Sequence, residues 1–209
     1  KRVRCPPEGG ERRRLKLTLK IVADVALVGV PNAGKSTFLA AVTRAKPKID
    51  NYPFTTVVPN LGVWVPPEDD RFSTPGGSKG LALCDVPGLI AGASRGVGLG
   101  HAFLRHVERC HAILHLVDAT SEDPLQDFEM INQELVNYGN GKLANMPQVV
   151  VVNKIDQIHD EQAKEELHKQ LVGAMSHTRL MWMSAKDRDG VDDLMIRLAA
   201  FVTKIKKME

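Results

Sequence analysis

Six short apolar runs mark the chain, at residues 25–30, 61–65, 81–84, 112–117, 149–152 and 180–183. Several are continuous rather than alternating, the pattern of strands covered on both faces. Between them the apolar period changes to that of a helix. After "SEDP", Asp123 can cap a helix and Pro124 can occupy its first turn, with Leu125, Phe128, Ile131 and Leu135 at helical spacing. Val191, Leu194, Met195, Leu198, Val202 and Ile205 repeat that spacing at the end of the chain. Strands alternating with helices over residues 21–209 predict a doubly wound α/β sheet, with ligands at the carboxyl ends of the strands. Residues 66–80, "PPEDDRFSTPGGSKG", read as a polar hairpin loop.

Composition narrows this only a little. The 209 residues are 43% hydrophobic and 25% charged, ordinary for a globular protein with one sizeable core. The net charge of +3 is uneven, because residues 1–20 carry eight Lys or Arg against Glu8 and Glu11. The remainder is net acidic, so basic character belongs to one end, which reads as a linker or a solvated tail. Three scattered cysteines (Cys5, Cys84, Cys110) without a CxxC argue for a reducing compartment and against a zinc site. No apolar run reaches membrane-spanning length. With no initiator Met and no signal-like region, the chain is expected to be a fragment.

The chemistry begins at "VALVGVPNAGKST". Gly29, four residues, then Gly34-Lys35-Ser36 fits the phosphate-binding G-x-x-x-x-G-K-[ST], placed after a strand and before a helix. Its backbone N–H groups, from Gly29 through Val30, Asn32, Ala33 and Gly34 to Thr37, surround a polyphosphate at a helix N-terminus, with Pro31 in the same turn. Lys35 adds charge at the β/γ-phosphates, and the Ser36 hydroxyl is a ligand for Mg²⁺.

"VVVVNKID" selects the base. Asp156 can accept from both donors of guanine, which adenine lacks, while Asn153 braces the loop and the Lys154 stem lies over the base beside Ile155. Ser184-Ala185-Lys186 follows another strand, and its backbone can meet the guanine carbonyl. An ATPase on the same scaffold is opposed by Asp156.

Asp85-Val86-Pro87-Gly88 ends a strand, with Asp85 placed to hold Mg²⁺ through water and the Gly88 N–H to meet the γ-phosphate. In "DNYPFTTVVPN", Thr55 or Thr56 offers a second hydroxyl to the metal, flanked by Phe54, Val57 and Val58. These two stretches form a switch ordered by the γ-phosphate. Leu89 stands where many nucleotide hydrolases carry a water-orienting glutamine, and leucine cannot orient water. His101 and His106 on a helix, and His111 and His115 flanking a strand, read as surface or packing residues rather than as a metal site.

With these residues in hand, the chain resembles the Obg family of translation-factor-class GTPases over residues 8–209. "GVPNAGKST", "YPFTTVVPNLG", "DVPGLIAGASRGVGLGHAFLRHVERC", "NKID" and "SAK" carry the resemblance, and "YPFTT" is the most discriminating. It implies a P-loop GTPase domain whose six-stranded sheet is mostly parallel with one antiparallel strand, preceded by residues 1–20 as the edge of an N-terminal domain. It implies binding and hydrolysis of GTP to GDP, with Lys35, Thr56, Gly88 and Asn32 serving catalysis. Mg²⁺ ligation by Ser36, Thr56 and Asp85 is implied too. So is a monomer that acts on the large ribosomal subunit or its precursor, contacting rRNA and ribosomal proteins. "CPPEGGER" and "HLVDATSEDPLQDFEMINQEL" are similar to the cyanobacterial and plastid branch, which implies the chloroplast stroma or otherwise a bacterial-type cytoplasm. Ala91 departs from the Glu of many members. For the missing glutamine the expectation is K⁺ beside Asn32, although Asn32 fits a turn-forming role equally well. The rival expectation is a nucleotide-gated scaffold that hydrolyses little.

Overall fold

The computed structural model describes residues 13, 22–43, 60–66, 80–86 and 100–208, with the side chains of 100–103 and 140 left aside. The expected site residues Phe54, Thr55, Thr56, Val57, Val58, Pro87 and Gly88 lie outside these residues, as do Leu89 and Ala91.

All six apolar runs are strands. They are β1 (Val25–Val28), β2 (Asn60–Trp64), β3 (Leu81–Asp85), β4 (Ala112–Asp118), β5 (Gln148–Asn153) and β6 (Leu180–Trp182). The sheet order is β2-β3-β1-β4-β5-β6. Every pairing is parallel except β2 with β3, which is antiparallel with Leu61 opposite Cys84 and Val63 opposite Ala82. The direction of strand order reverses between β1 and β3, where a doubly wound sheet opens a crevice at its carboxyl edge.

Among the described residues, five α-helices cover the two faces: α1 (Lys35–Val42), α2 (Gly100–Val107), α3 (Pro124–Asn137), α4 (Glu161–Ala174) and α5 (Val191–Lys206). Val25 and Leu27 of β1 pack with Phe38 and Leu39 of α1 and with Leu194 and Leu198 of α5. The alternate residues Ala26 and Val28 pack on the other face with Leu104 and Val107 of α2 and Ile131 of α3. Phe128 of α3 and Leu167 and Leu171 of α4 complete that face over Val150 and Val152. Burial on both sides explains why β1 and β4 read as continuous apolar runs.

The ends of these elements follow from local chemistry. Asp123 caps α3 by accepting the Gln126 N–H at 2.9 Å, with Pro124 in the first turn as predicted. Asp160 does the same for α4 through the Gln162 N–H. Glu108, just beyond α2, accepts from the Tyr138 hydroxyl at 3.2 Å and pairs with Lys142, fastening that end of the helix to the turn after α3. Lys206 near the end of α5 pairs with Asp24 at 2.5 Å, and Asp24 also takes the Ala82 N–H. Among the described residues, no helix is long and apolar enough to cross a membrane.

One histidine expectation is corrected. His115 does not flank β4 but lies within it, 1% exposed and stacked on Phe128 at 5.1 Å. Burial, reinforced by the Lys35 charge, lowers its pKa to about 3. The neutral ring meets the Gln148 amide at 3.0 Å, and that amide also bonds Asn132.

Candidate functional site

The turn between β1 and α1 is shaped by what stands behind it. Gly29 has φ +152°, and a Cβ there would fall 2.4 Å from the Leu116 carbonyl oxygen. Gly34 caps α1 at φ +92°, and a Cβ there would fall 2.2 Å from the Asn153 amide nitrogen. Both positions exclude a side chain for steric as well as conformational reasons. Asn32 takes a left-handed φ of +64°, the conformation that asparagine tolerates best among residues with a side chain.

Lys35 is 6% exposed and folds back on its own loop, donating to the carbonyls of Gly29 at 2.9 Å and Val30 at 2.8 Å. Burial pushes its ammonium below the usual lysine range, and the Asp85 carboxylate opposes that shift. The Ser36 hydroxyl donates to Asp85 Oδ2 at 2.6 Å, joining the start of α1 to the end of β3. Asp85 Oδ1 is buried without a hydrogen-bond partner. A hydroxyl beside an unsatisfied buried carboxylate oxygen is a hard oxygen donor set, and it fits Mg²⁺ held partly through water. Pro31, Asn32, Gly34, Lys35, Ser36, Thr37 and Asp85 line one cleft of about 390 Å³, together with Asn60 of β2.

The second half of the site is tied to the first by one side chain. Asn153, 2% exposed at the end of β5, donates through Nδ2 to the Ala33 carbonyl at 2.9 Å. Its Oδ1 accepts the Ala185 N–H at 2.9 Å. The expected brace therefore joins the phosphate loop to the loop after β6. Ser184, 1% exposed, donates to Asp156 Oδ1 at 2.7 Å and accepts the Asp187 N–H at 3.0 Å, which fixes the carboxylate. Ala185 spends its N–H on Asn153, so the backbone donor left for a ligand in this loop is that of Lys186. Ile155 follows in a 3-10 turn, its N–H bonded to the Met183 carbonyl.

Two residues escape sequence reasoning, Asp118 and Thr120. Asp118 ends β4 in register with Asn153, and its Oδ2 receives Lys154 Nζ at 2.5 Å. The Thr120 N–H and hydroxyl occupy its Oδ1 at 2.9 and 2.7 Å. Burial pushes the Asp118 carboxyl up, but the hydrogen bonds from Lys154 and Thr120 outweigh it and hold the carboxyl below its ordinary value. The available signal was a carboxylate at the carboxyl end of a buried strand, the same position that singles out Asp85.

A phosphate-binding turn after β1, a metal-type carboxylate after β3 and a braced base loop after β5 and β6 define a P-loop GTPase domain. A family model described as 50S ribosome-binding GTPase matches residues 24–154, and the chain belongs to that family. The chain is 48% identical over 191 residues to GTPase Obg of Synechococcus sp. (strain JA-2-3B'a(2-13)), covering 91% of this chain and 52% of the relative. It is 46% identical over 203 residues to GTPase Obg of Clostridioides difficile (strain 630), covering 96% of this chain and 45% of the relative. The Obg resemblance read from the motifs is thus borne out, and the cyanobacterial branch fits. The chain spans about half the length of the curated relatives it matches. A solved structure of Era with MgGDPNP and nucleotides 1506–1542 of 16S ribosomal RNA is 27% identical at a TM-score of 0.58, covering 88% of this chain and 57% of Era.

Proposed function

We propose that this chain is the guanine-nucleotide switch of an Obg-type GTPase that binds GTP and GDP with Mg²⁺ and hydrolyses GTP to GDP and phosphate. The observation that carries the reading is the two-sided Asn153 bridge, which couples a phosphate loop to a loop whose free groups match guanine. Asp156, oriented by Ser184, accepts the two guanine donors, and the Lys186 N–H meets the guanine carbonyl. Backbone N–H groups of residues 29–37 and the Lys35 ammonium hold the phosphates. Ser36 and Asp85, with Thr56 from the sequence, hold Mg²⁺, which when bound neutralises charge between the β- and γ-phosphates. Thr56 and Gly88 sense the γ-phosphate. With Leu89 in the glutamine position, K⁺ beside Asn32 supplies the electrostatic help.

The nucleotide state gates binding to the large ribosomal subunit or its precursor, with the protein acting as a monomer in a plastid stroma or a bacterial-type cytoplasm. The Obg relatives and the RNA-bound Era neighbour support a ribosomal partner.

Competition against a fluorescent GDP tests the base assignment. GTP and GDP should displace the probe, and ATP should be weaker by about 10⁴-fold, as expected for a site whose carboxylate acceptor stays unpaired with adenine. ATP binding tighter than GTP would overturn the reading. Leu89 also favours a second reading, a nucleotide-gated scaffold with little hydrolysis. Single-turnover GTP cleavage with ribosomal particles separates the two, because only the switch accelerates.

A further inference from the structure

We propose that Asp118 is a positioning residue of the guanine site: it fixes the Lys154 side chain along the base loop and so sets how long a guanine nucleotide stays bound. The inference rests on the guanine reading above and adds to it a residue from a strand outside the nucleotide motifs.

The carboxylate is 7% exposed and both its oxygens are engaged. Thr120 grips Oδ1 from its backbone N–H and its hydroxyl, so the carboxylate cannot rotate. Oδ2 therefore presents one fixed acceptor, and Lys154 Nζ sits on it at 2.5 Å. Register supports the arrangement, since Asp118 is directly opposite Asn153 and Lys154 is the next residue. The Lys154 backbone is left-handed at φ +67°, a conformation that a residue with a side chain adopts at a cost and that surrounding contacts must hold.

The physical effect is preorganisation. A free lysine loses much of its rotamer freedom when it is ordered against a ligand. Asp118 removes most of that freedom before the nucleotide arrives, so the Lys154 methylenes form a standing wall of the base slot. Asp118 has no bond to the phosphate loop, so its influence is on retention of the nucleoside end.

The experiment follows release of fluorescent GDP from the intact chain and from the variants Asp118→Ala, Lys154→Met and their combination. Each single change should speed release about tenfold, the worth of one charge-assisted hydrogen bond. The combined variant should release no faster than the faster single, because the two residues act through one contact. Thr120→Ala should speed release by about threefold through loss of one grip on Oδ1, again without effect in the Lys154→Met background. Asp118→Asn keeps the shape of the side chain and covers the case in which the alanine variant does not fold, with release again faster than wild type. Wild-type release rates in the Asp118 variants, or multiplied effects in the combination, overturn the proposal. If the unaltered chain retains no GDP, the guanine reading itself fails and this inference falls with it. Retention by the unaltered chain with indifferent Asp118 variants removes only Asp118.

Discussion

Asn153 and Ala33, 120 positions apart, are joined by a 2.9 Å hydrogen bond from the side-chain amide to the phosphate-loop carbonyl. With the Ala185 N–H on its other end, one buried amide joins the phosphate loop to the loop after β6. Asn153→Ala leaves a buried acceptor and a buried donor unmet, costing about 1–3 kcal/mol each. The melting temperature should fall by roughly 5–10 °C, and GDP affinity by about tenfold or more. Unchanged GDP affinity in a titration would contradict the bridging role.

Gly34 and Asn153 make a reciprocal pair. Gly34→Ala should abolish nucleotide binding, because the new methyl group meets the Asn153 amide and the backbone is left-handed. Removing the amide as well, in a Gly34→Ala, Asn153→Ala variant, relieves the clash but not the backbone strain. Urea midpoints should therefore show the double variant more stable than the sum of the singles predicts. A strictly additive result would mean that the clash is absorbed elsewhere.

The Ser36–Asp85 contact predicts a metal effect. Ser36→Ala removes the proposed metal ligand and the 2.6 Å bond to Asp85. GDP release from the unaltered protein should accelerate when EDTA strips Mg²⁺, while release from the variant should be fast in both conditions. Retained Mg²⁺ sensitivity in the variant would exclude Ser36 as a ligand.

His115 gives the pH dependence. Its folded pKa, about 3, lies below the unfolded value near 6.5, so the unfolded chain binds the extra proton. Its contribution is fully present above pH 6.5 and is lost as pH falls towards 3. Within that window stability should decline by about 1.4 kcal/mol per pH unit. His177, also lowered by burial and by Arg179, adds a slope of the same sign. Denaturant unfolding at pH 7 and pH 4.5 measures the sum. His115→Gln should flatten most of the acid slope, and an unchanged slope would show that His115 is not its source.

Turnover in K⁺ and in Na⁺ buffers tests the cation beside Asn32. Faster cleavage in K⁺, lost in Asn32→Ala, is the expected outcome. Equal rates in both salts would leave Asn32 with the turn role that its left-handed backbone already explains.

Legibility in the sequence follows how local the physics is. β1, β4 and β5 were readable because burial on both faces leaves apolar runs, β2 because it stays apolar even where Leu61 and Val63 are exposed, and α3 because Asp123 and Pro124 punctuate its start. The phosphate turn and the NKxD loop were readable because chemistry fixes their spacing. His115 was misplaced although the apolar run 112–117 spans it, because a histidine reads as a boundary residue until its stacking on Phe128 is seen. Asp118 and Thr120 were missed because the carboxylate at a strand end was visible but its partner Lys154 is set by register between β4 and β5, across more than thirty residues.

The clasp that Glu108 makes with Tyr138 and Lys142 has a mechanical consequence. It ties the carboxyl end of α2 to the turn after α3, a fulcrum for any tilt of the helix. Eight residues make an arm of about 12 Å. A tilt of roughly ten degrees about that fulcrum carries Gly100 through about 2 Å while leaving the far end at rest. Were the residues ahead of α2 to move, the helix would turn about the Glu108 clasp, with the largest stroke at Gly100.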